Sequence, residues 1–148
     1  MKSKIQNAKS KEMPNAESKN PKGAGLSKPP PYDLCERCAQ FGEASIAFAK
    51  RIPINPITSP LITQFVKAST SIGANFEEAD DAESVKDFHH KVGICRKESR
   101  ETKFFLRMIV AAEPSLRDPA AELYQEAKEL NLIFGSMRRS QPKKKKAP

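Results

Sequence analysis

Five prolines divide residues 32–140 into segments, and their positions constrain the fold more than any other feature of the sequence. Each lies at an end of a segment whose apolar residues recur every three or four positions: Pro53, Pro56, Pro60, Pro114 and Pro119. Proline is tolerated in the first turn of a helix but disrupts its interior. The pattern therefore predicts four helices bounded by proline, and no segment alternates in the way that a strand does.

The four predicted helices are long and amphipathic. They run from about Asp33 to Arg51, Pro60 to Ala82, Lys86 to Ala112 and Pro119 to Arg138, and Ser59, Ser84 and Asp118 are the expected N-caps of the last three. Each helix has one predicted inward face. The first two helices direct inward Leu34, Cys38, Phe41, Ser45, Phe48 and Ile52, and then Leu61, Phe65, Ala68, Ile72, Asn75 and Ala79. The last two direct inward Val85, Phe88, Val92, Cys95, Ser99, Thr102, Leu106 and Ile109, and then Ala120, Leu123, Ala127, Leu130, Phe134 and Met137. Four such helices with short connections predict an all-α, up-and-down antiparallel four-helix bundle.

The formal net charge of +8 belongs to the two ends of the chain. Residues 1–31 carry +5 and residues 141–148 carry +4, whereas residues 32–140 carry −1. Both ends are poor in large apolar residues, so we predict a disordered basic extension (1–31), one bundle domain (32–140) and a disordered tail (141–148). The tail contains Lys143, Lys144, Lys145 and Lys146. These ends predict either contact with nucleic-acid phosphates or a purely solubilising role.

The sequence offers little for catalysis, cofactor or metal chemistry, and we expect no catalytic, cofactor, metal or small-molecule site. It has two His residues, no Gly-rich phosphate loop, and a single C-x-x-C formed by Cys35 and Cys38. We expect these cysteines and Cys95 to be reduced, small apolar residues of a cytoplasmic protein, with a metal site that also uses His89 as the alternative. No membrane span is expected. The absence of Trp disfavours a base-stacking surface of several aromatics.

Two charged surfaces distinguish the predicted bundle. One face of the third helix is basic: Lys86, His89, Arg96, Arg100, Lys103 and Arg107. It predicts contact with nucleic acid, contact with a second subunit to which Phe104 adds apolar area, or an ordinary solvated face. The connection between the second and third helices forms an acidic corner: Glu77, Glu78, Asp80, Asp81, Glu83 and Asp87. This corner predicts a solvated turn, a cation site or a docking patch for a basic surface.

Three motifs in these helices resemble those of a known family. Residues 69–79 read S-T-S-I-G-A-N-F-E-E-A and resemble the signature S-x-S-I-G-A-N-x-E-E-A. Ser84, Lys86-Asp87-Phe88 and His90-Lys91 then resemble S-x-K-D-F-x-x-K, and residues 97–103 resemble a K-E-x-R-E-T-x block, followed here by Phe104-Phe105-Leu106. On these motifs, residues 33–138 resemble the four helix bundle proteins encoded within intervening sequences of bacterial 23S ribosomal RNA genes.

The resemblance implies a bacterial bundle protein with no established enzymatic activity. The family is similar in fold to the accessory variability determinant protein of diversity-generating retroelements, a ring-like homopentamer that engages a reverse transcriptase and nucleic acid. We therefore expect a homo-oligomeric, pentameric scaffold or adaptor that associates with RNA or a nucleic-acid enzyme, with a pure protein–protein interaction module as the alternative. The expected signature residues of a structural polar core are Ser71, Gly73, Asn75, Glu78, Glu98 and Glu101. Basic tails at both ends are a departure from the family, so it implies no role for them.

Overall fold

Four α-helices make up most of residues 33–139, the part of the chain that the computed structural model describes. They are α1 (Leu34–Ala49), α2 (Thr58–Asp80), α3 (Val85–Ala112) and α4 (Arg117–Arg139), and a 3-10 turn (Pro114–Leu116) leads directly into α4. These residues contain no strand, and the predicted all-α four-helix bundle is confirmed. The predicted disordered segments, including Lys143 to Lys146, lie outside the described residues.

Successive helices pack as antiparallel pairs. Phe48 near the end of α1 meets Phe65 near the start of α2, with ring centroids 5.8 Å apart. Closer to the opposite end of α2, Ile72 accepts a hydrogen bond on its backbone oxygen from Cys95 Sγ of α3, at 3.5 Å. α3 packs extensively on both α2 and α4, whereas α1 packs mainly on α2. Among these helices, none combines the length and apolar character needed to cross a bilayer.

The buried core follows the predicted inward faces with two differences. Val85 is 61% exposed at the start of α3, because the core begins further along that helix. On α2 the inward face continues from Ile72 to Phe76 and Ala79, all of which are buried. Asn75 is only half-buried and donates from Nδ2 to the backbone oxygen of Ser71 in its own helix, at 2.9 Å. The prediction that Asn75 faces inward is therefore wrong.

The predicted helix starts are correct for α3 and wrong for α2 and α4. Ser84 caps α3 by accepting the backbone N–H of Asp87 at 3.0 Å. α2 begins before Ser59, because Asn55 Oδ1 accepts the backbone N–H of Thr58 at 2.9 Å and Thr58 Oγ1 accepts that of Asn55 at 3.0 Å. Asp118 lies inside the first turn of α4, which continues from the 3-10 turn without a separate N-cap.

Candidate nucleic-acid interface

One surface of the bundle, which we call the cationic face, lies along α3 and the end of α4. It consists of Arg96, Arg100, Lys103 and Arg107 from α3 and Arg138 and Arg139 from α4. The spacing of the α3 residues by four, three and four positions places them on one side of the helix. The antiparallel packing of α3 on α4 then brings the last turn of α4 beside the first half of α3. The structure thus adds two arginines to the basic stripe that the sequence predicts.

Two glycines shape the contact between these helices. A Cβ atom on Gly93 of α3 would lie 2.8 Å from Nη1 of Arg138, and one on Gly135 of α4 would lie 3.5 Å from Nε of Arg96. Each helix therefore places an arginine against a glycine of the other helix. A glycine surface offers no carboxylate, so this packing positions both guanidinium groups without neutralising them.

Asn131 of α4 fixes the backbone beneath Arg96. Its Nδ2 donates to the backbone oxygen of Arg96 at 2.9 Å and to Ser99 Oγ at 3.0 Å. Ser99 is fully buried and donates in turn to the same oxygen of Arg96 at 2.8 Å. This amide links two helices, whereas Asn75, which the sequence placed on the inward face of α2, bonds within its own helix. Asn131 follows Leu130 just outside the apolar face of α4, and only its partners on α3 distinguish it from a surface amide.

In the part of the chain that the structure describes, the cations of this face have no acidic partners. Lys103 Nζ lies 5.9 Å from the ring centroid of Tyr124 on α4, while Arg100 and Arg107 are exposed. Within residues 33–139, none of the six side chains forms an ion pair with Asp or Glu. From Arg96 to Arg107 the helix rises by about 17 Å, which is long enough to contact several successive phosphates of one nucleic-acid strand. The arrangement can bind a row of phosphates.

The remaining predicted contacts of α3 lie toward its start, next to the acidic corner. Lys86 is exposed, and the half-buried His89 packs edge-on against Phe88 with ring centroids 5.2 Å apart. In the acidic corner itself, Glu78 Oε1 accepts from Lys91 Nζ at 2.6 Å. This hydrogen bond is the main reason that the pKa of Lys91 is raised. The acidic corner before α3 and the cationic face along α3 thus have opposite charges.

The signature residues do not form one polar core. Glu78 and Glu101 are exposed, and Ser71 and Glu98 are half-buried. The pKa of Glu98 is raised, mainly because the side chain is partly buried and secondly because Glu101 carries a negative charge nearby. Gly73 lies against α1, where its Cβ position is 3.5 Å from the backbone oxygen of Cys38. That distance is an ordinary van der Waals contact for one methyl group.

A buried polar contact joins α1 to α4, and it was not predicted from the sequence. Arg37, 3% exposed, donates from Nε and Nη2 to both carboxylate oxygens of Glu126, at 2.6 and 2.8 Å. Nη2 also donates to Glu129 Oε1 at 2.8 Å. Each partner lies on an inward face, Arg37 between Leu34 and Cys38. The sequence does contain a signal for this pair, because each of the two apolar faces carries one charged residue, and the two charges are opposite.

The cysteines show no sign of catalytic activation. Cys38 and Cys95 are buried, and burial raises both pKa values, that of Cys95 to about 12. A nucleophilic cysteine needs the opposite shift, because the thiolate is the reactive form. In the part of the chain that the structure describes, no group of three or more His, Cys, Asp or Glu side chains could hold a metal ion.

The fold and this surface place the chain among four-helix bundles that carry a row of cations, which no acidic side chain neutralises within residues 33–139. The sequence pattern of the 23S rRNA-intervening sequence proteins matches residues 32–136, and the chain belongs to that family. A crystal structure of a protein of unknown function from the S23 ribosomal protein family of Bacteroides thetaiotaomicron is similar, with a TM-score of 0.64. The match has 24% identity and covers 73% of this chain and 100% of that one, and it shows the shared fold. No curated protein matches the chain significantly.

Proposed function

We propose that this protein is a non-enzymatic, self-associating adaptor that binds RNA along the cationic face. The observation that carries the proposal is the row of six cations without an ion pair to Asp or Glu in residues 33–139. Phosphates suit such a row because every nucleotide of a strand carries a negative charge, and arginine grips them through paired N–H groups. The family name refers to a ribosomal RNA sequence, which makes RNA the first nucleic acid to test.

The test is a titration of the full-length protein into fluorescent single-stranded RNA at several salt concentrations. Arg100→Ala with Arg107→Ala should reduce the slope of log K against log salt by about 1.4, which is roughly a 25-fold loss of affinity at 0.1 M salt. Lys50→Ala with Arg51→Ala is the matched control, because it removes the same charge from exposed residues after α1. Equal losses in the two double variants would show that binding does not depend on the cationic face.

The Lys-rich tail needs a separate variant in the full-length chain. Replacing Lys143, Lys144, Lys145 and Lys146 by Gln removes four charges and leaves the helices unchanged. If this change abolishes binding while the Arg100 and Arg107 variant binds normally, the RNA contact belongs to the tail alone. Absence of salt-dependent binding tighter than about 100 μM would contradict RNA association altogether, since non-specific binders reach roughly 10⁻⁴–10⁻⁶ M.

A second candidate function, the protein–protein interaction module, is favoured by a second observation: the acidic corner and the cationic face have opposite charges. The acidic corner is largely exposed, and in this module it contacts the cationic face of a neighbouring subunit, which would exclude RNA from that face. If the protein forms a ring, light scattering should give a mass that is a multiple of the 16.5 kDa chain mass, and five times that mass for a pentamer. Asp80→Arg with Asp81→Arg should lower that mass, and adding Arg100→Asp with Arg107→Asp should restore it. A mass of one chain for the unchanged protein would contradict the assembly.

A further inference from the structure

Phe104 is an exposed aromatic residue with a defined orientation. It lies on the outer side of α3 with 53% of its surface exposed. Its ring meets that of the half-buried Phe105 at an interplanar angle of 80°, with centroids 5.3 Å apart. Such edge-to-face packing is a favoured geometry of aromatic pairs. Phe105 thus anchors a ring that remains accessible to a ligand.

Two arginines bracket this ring along the helix. Arg100 precedes Phe104 by four residues and Arg107 follows it by three. Residues at these spacings are neighbours on a helix surface, with about 5–6 Å between Cβ atoms. Both arginines are exposed and form no ion pair within residues 33–139. An apolar ring between two available cations is suited to a ligand that alternates a flat apolar group with negative charges.

The surface around Phe104 is concave. A shallow depression of about 670 Å³ is lined by Lys97, Arg100 and Phe104 of α3 and by Gln64 of α2, and its volume is within the usual range of ligand sites, about 300–1,000 Å³. Gln64 is exposed and offers both a donor and an acceptor. Glu101 also lines the depression and would repel a phosphate on its side. The depression therefore suits a neutral planar group, and the arginines suit the charges beside it.

We propose that this depression holds one unpaired base of single-stranded RNA, which stacks on Phe104 while the adjoining phosphates contact Arg100 and Arg107. The inference rests on the proposed RNA association and adds the class of RNA, single-stranded rather than duplex. In a duplex the faces of each base are covered by its neighbours, so only an unstacked base can reach the ring. One ring is sufficient here, which agrees with the small number of aromatic residues in the sequence.

Phe104→Leu is the discriminating variant, because leucine keeps an apolar side chain for any protein contact but removes the stacking ring. The probes are a short oligouridylate with one central 2-aminopurine and the duplex of the same sequence. The unchanged protein should bind the single strand more tightly and should change its fluorescence. Phe104→Leu should weaken single-strand binding by about 5- to 150-fold, the range for one stacked base. It should also suppress the fluorescence change, while the salt slope and duplex affinity stay the same.

The outcomes separate this inference from the function on which it rests. Ile46→Ala, which alters an exposed apolar residue of α1, should leave binding of both probes unchanged. Suppose that the unchanged protein binds the single strand and the duplex with equal affinity, and that Phe104→Leu has the same affinities as the unchanged protein. The stacking site is then refuted, and RNA association stands. If neither probe binds, both are refuted. If Phe104→Ala lowers the oligomer mass without weakening RNA binding, Phe104 is a subunit contact and the stacking site is refuted.

Discussion

The α1–α4 and α3–α4 interfaces both contain arginine and use it in opposite ways. At the α1–α4 interface Arg37 is buried against two carboxylates, whereas at the α3–α4 interface Arg96 and Arg138 lie against glycines. A guanidinium in the core requires a carboxylate, because a buried charge without a partner is costly. A guanidinium at the surface remains solvated and available to an external anion. The neighbours of an arginine, rather than its position on the helix, thus distinguish a structural arginine from one that is available to an external anion.

The largest expected effect breaks the α1–α4 interface. Arg37→Ala leaves Glu126 buried without its partner and should lower the free energy of unfolding by about 3–5 kcal/mol, measured by urea denaturation. Lys91→Ala is the control, because it removes a partner of the exposed Glu78, and its loss should be much smaller. Arg37→Met with Glu126→Leu should recover most of the stability. Equal losses for Arg37→Ala and Lys91→Ala would contradict the structural role of the buried pair.

The next effect tests how the α3–α4 interface is held without ion pairs. Asn131→Ala removes both hydrogen bonds to α3 and should cost about 1–2 kcal/mol of unfolding free energy. Asn75→Ala should cost less, because its hydrogen bond stays within α2. Urea midpoints of the two variants measure the difference. A larger loss for Asn75→Ala would restore the position that the sequence favoured.

A smaller change separates stability from binding at the cationic face. Gly93→Ala should raise helix stability by up to about 1 kcal/mol, because the new methyl group meets only the flexible end of Arg138. It should displace that guanidinium and weaken RNA binding a few-fold in the salt titration. Gly73→Ala is the matched control, with ordinary contacts to α1, and RNA affinity should not change. If Gly93→Ala instead lowers the free energy of unfolding, the Arg138 side chain is held too rigidly to move away from the new methyl group.

The smallest expected effect extends the comparison to an acidic residue of α3. Burial and then Glu101 raise the pKa of Glu98, so the folded chain binds this proton more tightly than the unfolded chain does. Ionisation of Glu98 therefore costs stability as the pH rises above the ordinary value of 4.5. Glu98→Gln should stabilise the protein slightly at pH 7 and have no effect near pH 3. The exposed Glu122→Gln is the control, and a gain for Glu98→Gln that is equal at both pH values would contradict this cause.

The helices and most of the core could be predicted from the sequence, because burial of an apolar face dominates the packing of a bundle. Phe41, Ile72 and Leu130 are buried as their spacing predicts. The start of α2 could not be predicted, since the reciprocal hydrogen bonds of Asn55 and Thr58 depend on the backbone of the preceding loop. The spacing of apolar residues identifies the inward face of a helix, but it does not show which loop atoms form the hydrogen bonds at the start of that helix.

The candidate site was predictable on one helix only. The spacing of Arg96, Arg100, Lys103 and Arg107 identifies the basic stripe of α3 without further information. The contribution of Arg138 depends on the register between α3 and α4, which no periodicity specifies. The pairing of Arg37 with Glu126 could not be predicted either, although the sequence shows each of them as a charged residue on an apolar face. Only the packing of α1 on α4 makes them a pair.

The burial of Cys38 and Cys95 gives the bundle internal reporters of its own opening. An alkylating reagent reacts with the thiolate, and the raised pKa of each thiol suppresses that form in the folded chain. Both should therefore react only during excursions that expose α1 or α3 to solvent. Their labelling rates would show whether α1, which packs mainly on α2, separates from the bundle before α3 does.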